Sequence, residues 1–484
     1  MLSHLAALRS SILLAASLAT ASLATASLAE DPSRQDVAGT VADAKRTMRR
    51  AATYFREKVA TEGGYLWAYS EDLSKREGER RATATQAWVQ PPGTPAVGEA
   101  FLTAYEATRE EYYLDAARET ATALVRGQLQ SGGWDYRIEF DPAKRTQYAY
   151  RSDQREQGRN VTTLDDDTTQ SATRFLIHFL RVRDDESIRQ AAGFALRSLR
   201  KAQFPNGAWP QRYQEFPDPK RFPVMKARFP DSWPRQHPRE SYHGFYTLND
   251  NVMSDMIEMM FDASASLDDS DCRTAAIHGG EFLLLAQMPE PQPAWAQQYD
   301  LEMQPTWARK FEPPAVSGGE SQAVMRTLLT LYQQTKDEKF LEPLPRAVEY
   351  FRRSRLRDGR LARFYELKTN RPLYFTKEYV LTHRDDDLPT HYSFRVSNGV
   401  ERIARDLQAI KQQGDRNSRS KTPRLTASLV ERAEQIIAGL DDQGRWLDKK
   451  PLKNFPLAAG EHVVSCRVFI NNMKTLSEFL IAAR

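Results

Sequence analysis

The chain of 484 residues has only two cysteines, Cys272 and Cys466. Two thiols build neither a disulfide scaffold nor a zinc site; one bridge between them is the most they allow. Charge of either sign is not in excess. The 68 basic and 64 acidic residues leave +4, which argues against a general affinity for nucleic acid. Beyond the first 30 positions no apolar run approaches the ~20 residues of a membrane span. The eight histidines fall at no metal-ligand spacing. P-loop, G-x-G-x-x-G and H-E-x-x-H patterns are missing. Gly319-Glu320-Ser321-Gln322-Ala323 fails the nucleophile-elbow pattern at its last position. Ser317-Gly318-Gly319-Glu320 is expected instead as a capping box. Alternating apolar strands are also scarce, so any strands should be short.

The first 29 residues have a pattern of their own. Arg9 precedes the apolar run Ile12–Ala16, and Ser27-Leu28-Ala29 offers a small-x-small cleavage site. Residues 1–29 are therefore expected to be a signal peptide, with a secreted or periplasmic mature protein and no membrane attachment after cleavage. That compartment would permit a Cys272–Cys466 bridge.

The rest of the chain is rich in amphipathic stretches. Residues 41–60, 96–108, 111–128, 168–183, 187–203, 249–266, 273–287, 319–334, 338–354, 399–412, 427–439 and 467–483 are predicted helices. A Gly-aromatic turn recurs between them. Its glycines 64, 133, 207, 359 and 444 lie 69, 74, 152 and 85 residues apart, and Pro293-Ala294-Trp295-Ala296 occupies the missing position. A period of about 75 residues fits two helices plus loops, as in repeat architectures. The expected fold is all-α, an α/α toroid of repeated antiparallel helical hairpins, with an open solenoid as the alternative. The Gly-aromatic loops should gather at one end and line the concave face; aromatic rings on a groove suit sugar faces, but an aromatic after a turn glycine is more often a packing anchor. Residues 30–400 are expected to form the toroid domain, and 401–484 a C-terminal helical extension that closes or caps it. The proline-rich stretch 212–246 is a long loop, a lid or groove wall, and 413–424 an exposed loop.

The polar constellation is acid plus arginine. Asp165-Asp166-Asp167 opens one helix, and Asn249-Asp250-Asn251 opens another. One acid suffices for a helix start; three neighbours repel one another unless a cation offsets them. Oxygen ligands of this kind suit calcium. Arg309 stands beside Trp307 and Phe311, and Arg363 and Arg371 beside Phe364 and Tyr365. Forked guanidinium groups bind carboxylates, although surface salt bridges with Glu312 or Glu366 would explain the same pattern.

These segments resemble polysaccharide lyase family 10, the calcium-dependent pectate lyases. The matching runs are T-L-D-D-D-T-T-Q-S-A-T-R-F-L at 163–176, Q-F-P-N-G-A-W-P-Q at 203–211, T-L-N-D-N-V-M at 247–253, W-A-R-K-F-E-P-P-A-V-S-G-G-E-S at 307–321 and R-F-Y-E-L-K-T-N-R-P at 363–372. The resemblance implies an α/α toroid and a calcium-dependent lyase that cleaves polygalacturonate, or a related polyuronate, to 4,5-unsaturated ends. It implies catalytic roles for Asp165 and Arg309, Arg309 as the base. Metal ligation falls to Asp165, Asp250 and the neighbouring Asp166. Substrate contacts fall to Arg363, Arg371, Asn249 and Trp307. The implied partner is an acidic polysaccharide, met by a monomer. The chain departs from the family pattern in three places. Asp166-Asp167 replaces an Asn-Gly, Gly132-Gly133-Trp134-Asp135-Tyr136-Arg137 replaces a G-G-W-P-K-N segment, and residues 214–243 lengthen the loop before the T-x-N-D motif. A toroid glycoside hydrolase using Asp166 and Asp250 and a non-catalytic polysaccharide-binding protein remain as alternatives. Elimination by Arg309 also requires a setting that lowers its pKa from a reference above 12.

Overall fold

The computed structural model describes residues 32–413, 423–456 and 460–484. The signal reading at 1–29, and most of the expected loop at 413–424, lie outside the described residues. Among the described residues thirteen α-helices run α1 Pro32–Tyr54, α2 Thr94–Thr108, α3 Glu111–Gly127, α4 Pro142–Arg145, α5 Thr168–Val182, α6 Glu186–Lys201, α7 Val252–Leu267, α8 Ser270–Leu285, α9 Glu320–Thr335, α10 Leu344–Arg353, α11 Val400–Gln413, α12 Ala427–Ala438 and α13 Cys466–Ala482. All twelve predicted helices are present. The first starts at Pro32 and ends in a π-helical turn, Phe55–Val59. The predicted starts at 249 and 338 are 3-10 turns rather than α-helix. None of the described helices is long and apolar enough to cross a membrane.

The helices form an α/α toroid. An inner series packs α13 on α2, α2 on α5, α5 on α7, α7 on α9 and α9 on α11. Outside it α3 meets α6 and α6 meets α8. At the other end of the chain α12 packs on α1, and strand Val463–Ser465 pairs with Ala68–Ser70, Ser465 opposite Ala68. The last elements thus return to the first.

Two outer helices and three inner ones start differently. The outer helices α6 and α8 start on aspartate caps: Asp185 accepts from the backbone N–H groups of Ser187 and Ile188, and Asp269 from those of Asp271 and Cys272. In α6, Ile188, Ala191, Ala192, Ala195, Leu196 and Leu199 recur at helical spacing and are buried, while Arg200 and Lys201 close its last turn. The inner helices α5, α7 and α9 have no side-chain cap. Loops inside the first three hairpins are short, at 109–110, 183–185 and 268–269, whereas loops between hairpins are long, at 128–167, 202–251, 286–319 and 354–399. The long loops therefore collect at one end, where the inner helices begin.

The recurring turn is real, but its tryptophans do not line the concave face. Leu129, Phe204, Leu356 and Asp441 each donate a backbone N–H to the residue four positions on, closing the turn around a left-handed glycine. A Cβ at Gly207 would collide with the His278 carbonyl, so glycine is required there. The copy lacking glycine closes from Met288 N–H to the Ala294 carbonyl. Trp134, Trp209 and Trp295 are fully buried, and each indole N–H donates to a helix carbonyl, of Leu124, Leu199 and Leu283. They anchor loops to helices, because a buried indole needs both packing and one acceptor. Of the two readings of these aromatics, the structure follows the packing anchor and not the sugar platform.

Two further expectations are corrected. Cys272 and Cys466 are both buried free thiols in different cores, so no bridge joins them. Ser317 is not a helix cap: its hydroxyl donates to the Glu320 carboxylate, and the helix opens at Glu320 itself.

Candidate active site

The turns before α5 and α7 are built alike. Strand Thr162–Thr163 pairs with Arg212–Tyr213, and Tyr246–Thr247 with Gln298–Tyr299. Each strand leads into a 3-10 turn, Asp165–Asp167 or Asn249–Asn251. In both turns two successive residues are left-handed: Asp166 (φ 52°) and Asp167 (φ 56°), Asp250 (φ 47°) and Asn251 (φ 60°). Asp and Asn tolerate this region better than other side-chain-bearing residues, which explains their use at these positions. Asp166 and Asp250 thereby hold equivalent places in adjoining repeats.

The two turns bring Asp165, Asp166 and Asp250 together, with one carboxylate oxygen from each within 4.8 Å of the others. Asp167 turns away and pairs with Arg174 at 3.3 Å. Asp165 is 5% exposed. Its Oδ2 accepts from the Tyr136 hydroxyl at 2.9 Å and lies 3.6 Å from Arg212, while its buried Oδ1 has no partner. Asp166 accepts from the Gln90 amide at 2.8 Å. Burial, then the charge of Asp165, raises the Asp166 carboxyl to about 6. Burial raises Asp250 to about 7; Arg309 opposes that rise, and Asp165 and Asp166 reinforce it. Three close carboxylates, one with an orphaned buried oxygen, fit a hard divalent cation with oxygen ligands. Asp165, Asp166 and Asp250 are the residues that could hold it.

Arg309 closes the site. Its Nη2 lies 2.8 Å from Asp250 Oδ2, and its backbone N–H donates to Glu312 at 3.0 Å. Burial works against the Arg309 charge, but Glu312, Asp250 and Asp165 outweigh it and hold the guanidinium above its ordinary value. This is the opposite of the lowered pKa that a base requires. Glu312 is 1% exposed and takes a second bond from the Tyr392 hydroxyl, so it braces Arg309 from the interior rather than forming a surface pair.

The other candidates are dispersed. Asn249 is 2% exposed, and its amide donates to Asp250 at 2.5 Å from beneath. Arg363 is bonded to Glu320 at 3.2 Å and to the Ser393 carbonyl, with the Tyr392 ring at 4.7 Å. It thus reaches Arg309 through Tyr392 and Glu312. Glu366 pairs with Arg235 instead of Arg363. Trp307 is 3% exposed, donates its indole N–H to the Pro234 carbonyl, and lines a separate cavity together with Arg371.

Sequence reasoning missed Gln90, Tyr136, Arg212 and His243. Tyr136 stands at the lysine position of the replaced G-G-W-P-K-N segment, and Arg212 follows the Q-F-P-N-G-A-W-P-Q run directly; these were the available signals. His243 is half-buried, its Nδ1 2.7 Å from Gln211 Oε1. Burial lowers its pKa, and the charges of Arg212 and Arg309 lower it further.

Residues 128–362 match the family model described as pectic acid lyase. A search of curated proteins finds no match. Among solved structures, a family 10 polysaccharide lyase from Cellvibrio cellulosa is similar at 20% identity and a TM-score of 0.46, over 66% of this chain and 97% of that one. A mutant of the Cellvibrio lyase in complex with trigalacturonic acid is similar at 19% identity and a TM-score of 0.45, over 66% and 98%. A GH76 α-mannanase from Bacteroides thetaiotaomicron follows at 9% identity and a TM-score of 0.42, over 93% and 97%. The matched residues 128–362 hold Asp165, Asp166, Asp250 and Arg309, so the acid–arginine site lies within the pectic acid lyase match.

Proposed function

We propose that this protein is an exported, monomeric, calcium-dependent lyase that cleaves pectate or a related polyuronate by β-elimination. The observation that carries the reading is the carboxylate triad facing Arg309, with Asp165 buried and Asp166 and Asp250 partly so. Export rests on the pattern of residues 1–29.

Elimination breaks the C5–H bond beside the uronate carboxylate, forms the C4=C5 double bond and expels the glycosidic oxygen, which takes up a proton. The difficulty is the second negative charge that develops next to the carboxylate. A calcium ion on Asp165, Asp166 and Asp250 would supply Lewis-acid stabilisation of that charge. Arg212 adds fixed positive charge at the same place, and Arg309 gains its charge as it takes the proton. Tyr136 and Gln90 hold Asp165 and Asp166 by one bond each, so the carboxylates keep their aim. Arg309 is the proposed acceptor of the C5 proton. With the three carboxylates bare, its charged form is favoured, so abstraction needs those charges engaged elsewhere.

Inverting hydrolysis by Asp166 and Asp250 is the weaker reading. The Asp166 and Asp250 oxygens approach within 4.8 Å, closer than the ~6.5–9.5 Å that an inverting pair leaves for water. The test is incubation with polygalacturonate while following the ultraviolet absorbance of unsaturated uronate, with calcium and with a chelator. A rise that the chelator abolishes supports the reading; reducing ends without a rise would replace it with hydrolysis.

A further inference from the structure

We propose that Arg363 and Tyr392 are positioning residues for Arg309, acting through the buried carboxylate of Glu312, and that Arg363 is not one of the arginines that hold the substrate. The proposal rests on the reading of Arg309 as the acceptor of the C5 proton and adds what keeps that side chain aimed.

Glu312 closes a tight turn on Arg309. The Ala308 backbone N–H donates to the Glu312 carbonyl at 3.1 Å, and the Glu312 N–H to the Arg309 carbonyl at 2.8 Å. Within that turn Glu312 Oε2 accepts the Arg309 backbone N–H at 3.0 Å and stands 3.7 Å from its Nε. Asp250 holds the guanidinium from the opposite side, but it is also a proposed ligand of the ion. Glu312 is the anchoring carboxylate that the ion does not share, since its side chain is 1% exposed.

A buried carboxylate needs a donor for each oxygen. Tyr392 supplies the second: its hydroxyl donates to Glu312 Oε1 at 3.0 Å. With one oxygen held by Arg309 and the other by Tyr392, the carboxylate cannot rotate without breaking a bond. Tyr392 lies beyond the last run that resembles the family, which ends at Pro372.

Arg363 in turn sets Tyr392. Its guanidinium carbon stands 4.7 Å from the centre of the Tyr392 ring. Its Nε donates to the Ser393 carbonyl at 2.7 Å, and its backbone N–H to the Phe394 carbonyl at 2.9 Å. One residue thus fixes the ring and the two residues that follow it. Arg363 Nη1 goes to Glu320 at 3.2 Å, so two of the three guanidinium nitrogens are already committed inside the protein. Reacting atoms must meet within about 3–3.5 Å, and a misplacement of about 1 Å can cost about 100-fold, so a brace two residues removed from Arg309 bears on rate.

The test compares the wild type with Tyr392→Phe, which keeps the ring and removes only the hydroxyl, and with Arg363→Lys. We expect kcat for unsaturated product to fall about tenfold in both. KM for polygalacturonate and the affinity for trigalacturonate, measured by calorimetry, should stay within about twofold of wild type. Crystal structures should show the Arg309 guanidinium ordered in the wild type and displaced or split in Tyr392→Phe. Weaker trigalacturonate binding by Arg363→Lys returns Arg363 to the substrate and overturns the proposal. So does an unmoved Arg309 in Tyr392→Phe, or an unchanged kcat. A wild type that makes no unsaturated ends removes the lyase reading, and the position of Arg309 in Tyr392→Phe then decides the brace by itself.

Discussion

Arg309 and Asp250 meet at 2.8 Å, guanidinium Nη2 to carboxylate Oδ2, across 59 positions of chain. The pair joins the one arginine in the site that is braced from below to an acid that its own neighbours push toward neutrality. It links the carboxylate group to the group that would move the proton.

Substitution of Arg309 tests that link first. Arg309→Ala is expected to lower elimination by at least about 100-fold, the usual contribution of a positioned acid–base group. Arg309→Lys keeps the charge but loses the fork, and should recover little. Initial rates of unsaturated-product formation decide it; a rate within a few-fold of wild type would exclude Arg309 as the base.

Calcium should stabilise the fold through the triad. At about 100 times its dissociation constant a ligand adds about 2.7 kcal/mol. Chemical denaturation with calcium and with chelator should show that difference, and Asp250→Asn should remove most of it. Equal stability under both conditions would mean that the three carboxylates do not hold the ion.

Tyr136 is expected to tune the triad. Tyr136→Phe removes the donor to Asp165 Oδ2, and loss of such a supporting bond costs about 10–100-fold in metal affinity or activity. The calcium concentration for half-maximal rate should rise. Tyr136→Lys, which restores the family residue, should bring it back. An unshifted calcium profile in Tyr136→Phe would make the contact incidental.

His178 sets a pH dependence of stability. Its Nδ1 lies 2.8 Å from Glu99 and its Nε2 3.6 Å from Asp262. Burial opposes its charge, but the hydrogen bonds to Asp262 and Glu99 prevail and raise it from 6.5 to about 9. The folded state therefore holds a proton that the unfolded state has released. The contribution is complete below about pH 6.5 and is lost as pH rises through about 9. Unfolding free energy should fall by roughly 1–3 kcal/mol over that window. His178→Gln should flatten the fall, and an equally steep slope in the variant would refute the assignment.

The helices were legible because each carries an apolar stripe at helical spacing, as Ile188 to Leu199 do in α6. The turns were legible because a left-handed position with no room for a Cβ requires glycine, as at Gly207. Asp165, Asp250 and Arg309 were legible as an unusual grouping of acids at helix starts and of arginine with aromatics. Burial was not: Trp134 and Trp209 look alike in sequence whether they face a groove or a core. Pairing was not legible either. Tyr136 reaches Asp165 over 29 positions, and Gln90 reaches Asp166 over 76.

The sequence by itself thus determined the elements, their repeat and the kinds of side chain available, because propensity, periodicity and turn conformation act within a few residues. Only the tertiary structure decided which side chains meet. Ring packing sets the starts of α5 and α7 side by side, so Asp166 and Asp250 become neighbours. It separates Cys272 from Cys466, and it surrounds Arg309 with the carboxylates that raise rather than lower its pKa. Those outcomes depend on distances between segments far apart in the chain, which no local pattern encodes.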